Sequence, residues 1–228
     1  MRPVPSAGSI HQAVRWRTRL QLILNLNRSR VALAFAVLLA FVSLFLPLWS
    51  LGQTVGNDRA ISSFSWTYVT TDGYRSGAWT GSQTLPYSSS QFSFRSVAGV
   101  LSNAYIVDLV FLVVLAVVLA LYSIEYSRTM PTVSLLILSV IVVGAALFAL
   151  FYPIIGIPAA ATTDMGTFTI RGFWGAMSDP PADWSWGPGT GWWLVLFSVV
   201  LGVLGTILPY IKSIQAMPHA PKAAPPPA

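Results

Sequence analysis

Cysteine is absent from the 228 residues, and charge is scarce: only 9% of the chain is Asp, Glu, Lys or Arg, against about 25% in soluble globular proteins. The missing thiols exclude disulfides, a cysteine nucleophile and thiolate metal ligands. Any layer folded outside a membrane must therefore hold itself by packing and hydrogen bonds. Only two histidines occur, His11 and His219, far apart in the sequence. Neither has a metal-ligating neighbour at useful spacing, so no zinc or haem site and no cofactor is expected. No G-x-S-x-G occurs, no catalytic set gathers, and no nucleic-acid module is visible, so neither an enzyme nor a nucleic-acid binder is expected.

What is present is apolar. Hydrophobic residues make up 54% of the chain, and residues 31–51, VALAFAVLLAFVSLFLPLWSL, contain no charge. About 20 such residues cross roughly 30 Å of hydrocarbon as a helix. Three later runs have the same character: 98–123, 132–152 and 191–211. The expected fold class is an α-helical membrane protein, a four-transmembrane-helix bundle. A small extracytoplasmic antiparallel β-layer is expected from both outer loops, 52–97 and 153–190. The first run continues past Pro47 to Leu51, too long for a signal-peptide core, and reads as a retained anchor. Pro153 is expected to end the third span. One four-span domain thus covers 31–211, flanked by a basic tail, 1–30, and a Pro/Ala-rich tail, 212–228, expected to be disordered.

Loop charge sets the orientation. With the N-terminus inside, Arg2, Arg15, Arg17, Arg19, Arg28, Arg30, Arg128, Lys212 and Lys222 are internal. Only Arg59, Arg75, Arg95 and Arg171 are then outside, as the positive-inside bias requires. Both termini are expected in the cytoplasm, with the chain in the cell membrane. The lipid bilayer is the first partner. Trp49, Trp192 and Trp193 mark the outer boundary, where amphipathic rings suit headgroup depth.

The first outer segment is rich in Ser, Thr and aromatic residues. Ile61, Phe64, Trp66 and Tyr68 begin an alternating pattern. Asp72-Gly73 reads as a turn, Tyr74 to Thr80 as a return strand, and residues 90–96 as a further strand. In the second outer loop, residues 167–173 read as a strand. Residues 178–191, SDPPADWSWGPGTG, read as turns carrying Trp184 and Trp186. Gly187, Gly189 and Gly191 face outward before a span, so their G-x-G-x-G spacing reads as a turn, not a phosphate loop.

Asp108 is the one acid inside an expected span. Intramembrane acids are costly and by default functional. The structural alternative starts the second helix near Leu101 and leaves Asp108 close to the outer interface, where it pairs with Arg95 or caps a loop. No second acid, histidine or lysine lies in a span, so a proton relay lacks a visible partner. Asn103 stands five residues away and points in another direction. Ser198, Gly202 and Gly205, like Ala145 and Ala149, have the spacing of close helix packing, within the chain or between copies.

Pro47-Leu48-Trp49 at the end of the first run, Gly77-Ala78-Trp79 in the first outer loop and Arg95 before the second span form a pattern. With the four-span layout, it resembles the claudin, peripheral myelin protein 22 and calcium-channel gamma-subunit superfamily. The cysteine pair of that superfamily is missing, with Ser82 near the place of the first. The resemblance implies that Trp49 and Trp79 pack together where the sheet meets the membrane. It also implies a structural or interaction role (adhesion, barrier formation or accessory subunit of a membrane complex), with a protein partner or a homo-oligomer and no catalysis. The aromatic outer loops, including Trp184 and Trp186, would carry it. A small transporter, or a transporter subunit, using Asp108 is the second expectation.

Overall fold

The computed structural model describes residues 28–123, 132–166 and 169–215. They form four helices, α1 (28–43), α2 (Arg95–Ser123), α3 (Thr132–Met165) and α4 (Thr190–Gln215), and six strands. Three helices are long and apolar enough to cross a membrane, through Arg95–Ser123, Ile137–Met165 and Thr190–Leu208. The described part of α1 is shorter than a full span.

The first apolar run does not stay helical to Leu51. Helix α1 ends at Ser43, and the chain is already a strand at Trp49. Pro47 explains the early stop: it has no N–H to offer the Ser43 carbonyl and disfavours helix at the residue before it. Leu44, Phe45 and Leu46 instead donate to the carbonyls three residues back, and the last turn tightens.

The third helix shows the opposite outcome. Pro153 was expected to end it, but α3 runs through Pro153 and Pro158 to Met165. Each proline removes one ladder bond, a loss that packing offsets. Along this stretch α3 lies antiparallel against α2, with Gly156 so close to Val100 that a Cβ would stand 2.8 Å from its side chain. Thr162 Oγ1 donates to the Pro158 carbonyl at 2.8 Å. The second outer loop therefore begins near residue 166.

The strands are β1 (Trp49–Val55), β2 (Asp58–Phe64), β3 (Tyr68–Arg75), β4 (Ala78–Pro86), β5 (Gly175–Asp179) and β6 (Ala182–Pro188). They form one antiparallel sheet in the order β4-β3-β2-β1-β6-β5. An antiparallel β-layer built from both expected loop segments is thus present, but several boundaries differ from expectation. Asp72-Gly73 is not a turn; it lies inside β3. The turn falls at Ser76-Gly77, where both residues have positive φ, 50° and 83°, as a two-residue hairpin of this type needs. Residues 90–96 are not a strand: turns lead into α2 at Arg95. Residues 167–168 of the strand expected at 167–173 lie outside the described residues, and 169–174 are irregular. Strand begins only at Gly175, after Gly172 at φ 85°. Trp184 and Trp186 lie on β6, not in a turn.

Burial falls along the strands. Trp49, Phe64, Val69 and Trp186, at the helix-proximal ends, are buried, whereas Val55, Trp79 and Met177, at or near the distal ends, are exposed. Between sheet and helices lies an aromatic layer: Trp49–Phe64, Phe64–Phe94, Tyr87–Phe92, Trp66–Tyr105 and Phe173–Trp192, with ring centroids 4.9–5.9 Å apart. Each such pair contributes about 0.5–1.5 kcal/mol beyond its burial. They brace a layer that, without cysteine, can form no disulfide.

Candidate functional site

Three indole N–H groups fasten this layer. Trp49 Nε1 donates to the Phe173 carbonyl at 2.9 Å, joining the two outer segments. Trp186 Nε1 donates to the Gly172 carbonyl at 3.2 Å. Trp66 Nε1 donates to the Ser43 carbonyl at 2.9 Å, so the β2–β3 connection caps the C-terminus of α1. Tyr87 gives its hydroxyl hydrogen to the Ser65 carbonyl, and burial, with Tyr68 adding a smaller effect, pushes its phenol well above the ordinary range.

Trp49 and Trp79 do not meet. Trp49 is fully buried at the foot of β1, whereas Trp79 is 62% exposed near the distal end of β4, opposite Tyr74. The strands run away from the helix ends, so a residue just after the β3–β4 turn is carried to the far end of the sheet. Trp184 is half-buried, in register with Gln53 on β1 and Met177 on β5. Trp186 is buried over Gly175, where a Cβ would stand 2.8 Å from the ring. Most outer aromatics fill the layer's own core, while Trp79 and Trp174, each 62% exposed, do not.

Asp108 faces inward, 1% exposed. Its Oδ2 lies 3.2 Å from Ser43 Oγ, and its Oδ1 has no partner. Pairing with Arg95 is excluded: α2 begins at Arg95, an exposed residue, and thirteen residues put Asp108 about 20 Å further along the helix. The one salt bridge among the described residues joins Arg75 and Asp58 near the distal hairpins, both well exposed. Asn103 Nδ2 donates to Tyr152 Oη at 3.3 Å and does not join Asp108.

Two features were missed in the sequence. Asp164, on the last turn of α3, accepts the Ser96 and Val97 N–H groups at 2.9 and 2.8 Å, capping α2 from a neighbouring helix. An acid at a helix C-terminus is locally unfavourable, and that mismatch was the available signal. Gly189 and Gly191 allow two chain crossings to touch. Gly189 N–H donates to the Leu48 carbonyl and Gly191 N–H to the Pro47 carbonyl, each at 2.8 Å. The small-residue spacing of α4 serves packing within the chain: Ser198 Oγ donates to the Ala36 carbonyl at 2.7 Å, Gly202 abuts Leu115 and Gly205 abuts Leu33.

Neither a scan against protein-family models nor a search of curated proteins finds a match for this chain.

Proposed function

We propose that the chain is an integral membrane protein of four spans, both termini cytoplasmic, whose outer sheet binds a protein partner. Loop charge supports the orientation. The superfamily resemblance supports an interaction role, and the first outer segment is the larger contributor, with four strands against two. The observation that carries the reading is Trp79. It stands exposed near the tip of β4, an edge strand of nine residues, AWTGSQTLP, without a single charge. Edge strands exposed to solvent are commonly protected by charge, and Trp is among the residue types enriched at binding hot spots. Native mass spectrometry of the protein released from its own membrane in mild detergent tests the reading. A bound second polypeptide or second copy is expected, with at least a tenfold weaker association in Trp79→Ala. An unchanged complex in that variant, or a lone monomer in the parent, would sink it.

A second reading, a small transporter or transporter subunit, rests on Asp108 and its unpartnered Oδ1. Measuring from Tyr122, whose carbonyl accepts Arg30 Nε–H at 2.7 Å, twenty residues back along α2 cover about 30 Å and reach Ser102. With the span taken as Ser102 to Tyr122, Asp108 lies six residues, about 9 Å, inside its outer end. In this reading Asp108→Asn abolishes a cation-dependent flux while expression is retained. Flux equal to the parent's in that variant removes the reading.

A further inference from the structure

We propose that Asp108, Ser43 and the Ala40 carbonyl form a binding site for one small monovalent cation, a proton or an alkali ion. Ser43 Oγ lies 2.6 Å from the Ala40 carbonyl oxygen and 3.2 Å from Asp108 Oδ2. A serine hydroxyl has one hydrogen, and the short contact to Ala40 takes it. Ser43 Oγ and Asp108 Oδ2 then face each other as two oxygens with no hydrogen between them, and Asp108 Oδ1 is unpartnered as well. All of this is sealed: Ser43 is fully buried and Asp108 is 1% exposed.

The local field calls for positive charge. Ser43 is the last residue of α1, and a helix C-terminus carries a partial negative charge. A carboxylate buried beside it with no counter-ion costs several kcal/mol. The nearest arginines on the elements around it are remote. Arg95 lies about 20 Å away along α2, and Arg30 is held at the Tyr122 carbonyl, fourteen residues beyond Asp108 and thus about 21 Å. Tyr105, on the same helix, packs its ring on Trp66. A small cation supplies what these side chains do not. As a proton on Asp108 Oδ2 it completes a chain in which Asp108 donates to Ser43 and Ser43 to Ala40. As an alkali ion it is held by the Asp108 carboxylate and a lone pair of Ser43 Oγ, while the Ser43 hydrogen stays on the Ala40 carbonyl. Trp66, 3% exposed, covers the α1 terminus on the sheet side, so the site is closed to outer water.

The inference deepens the transport reading but does not require flux, since a cation held permanently would be structural. The test uses the full chain in lipid nanodiscs. Infrared spectra are recorded in sodium- and potassium-free buffer, and melting temperatures with sodium, potassium or N-methylglucamine chloride. A bound proton gives the carbonyl stretch of a carboxylic acid, which is lost in Asp108→Asn and shifts to higher frequency in Ser43→Ala as its partner disappears. A bound alkali ion gives a melting temperature raised by sodium or potassium in the parent and unaffected by them in Asp108→Asn. Asn has the shape of Asp and an N–H for Ser43 Oγ, so this variant is expected to fold. Absence of both the carboxylic-acid band and the ion-dependent shift overturns the site. A flux unaltered in Asp108→Asn, with either signature present, removes transport and leaves the site standing.

Discussion

Gly189→Ala is expected to be the most damaging single-methyl change in the chain, lowering stability by about 3 kcal/mol, the upper end of ordinary overpacking. A Cβ at residue 189 would overlap the Pro47 carbonyl oxygen and stand 2.8 Å from its carbon. Both sides of this contact are backbone, so no rotamer change relieves it. The Pro47 carbonyl is itself held by the Gly191 N–H and the Leu48 carbonyl by the Gly189 N–H. Together they tie the turn after α1 to the turn before α4, at the point where β1 and β6 leave the helices. Moving one segment away breaks these bonds and shifts the buried Trp49, which faces Pro188 in the sheet. Gly99→Ala is the control. Nothing lies within 4 Å of its added Cβ, and in a helix alanine is favoured over glycine by about 0.5–1 kcal/mol. Thermal unfolding in detergent, followed by tryptophan fluorescence and size exclusion, checks both. Gly189→Ala as stable as the parent would mean that the two turns do not touch.

Asp164→Ala is expected to cost about 2–3 kcal/mol, and Asp164→Asn about half as much. The carboxylate accepts two N–H groups of the first turn of α2. Hydrogen bonds to a charged group contribute about 1.5–3 kcal/mol each where they are sheltered, discounted here because the site is only part-buried. Alanine leaves both donors orphaned, whereas asparagine keeps one acceptor oxygen and loses the charge that complements the helix N-terminus. Hydrogen exchange locates the effect: the Ser96 and Val97 amides should exchange faster in the alanine variant than in the asparagine one, with the inner half of α2 unchanged. Equal protection of these amides in parent and Asp164→Ala would show that another group caps the helix.

The apolar runs were legible because they are an average property. Any helix made of 98–123 is long and apolar enough to span a membrane, and α2 includes all of it. Asp108 stood out as the one acid in such a run, but its inward position could not be read, because an interfacial place near the start of α2 was equally open. The existence of the outer sheet could be read from alternating aromatics, but its register could not. Asp72-Gly73 and Ser76-Gly77 are both turn signals, and the choice between them depended on which hairpin leaves Phe64 and Val69 under the layer and paired.

Segment ends were the weakest part of the reading, because a boundary is a competition. Pro47 and Pro153 are chemically alike, yet one follows the end of a helix and the other lies inside one. After Ser43 a tryptophan from a distant hairpin joins Leu46 in donating to the carbonyl that Pro47 cannot serve. Around Pro153 the flanking helix turns are packed against α2. Sequence by itself determined which runs are long and apolar enough to cross a membrane, where charge lies between them, and that no thiol could brace the β-layer. Tertiary structure alone decided which tryptophan is core and which is surface, and that Asp164 serves another helix. It also decided that Gly189 must have no side chain. Each of these depends on atoms distant in sequence coming within a few ångströms, where hydrogen bonds and steric overlap act and composition carries no information.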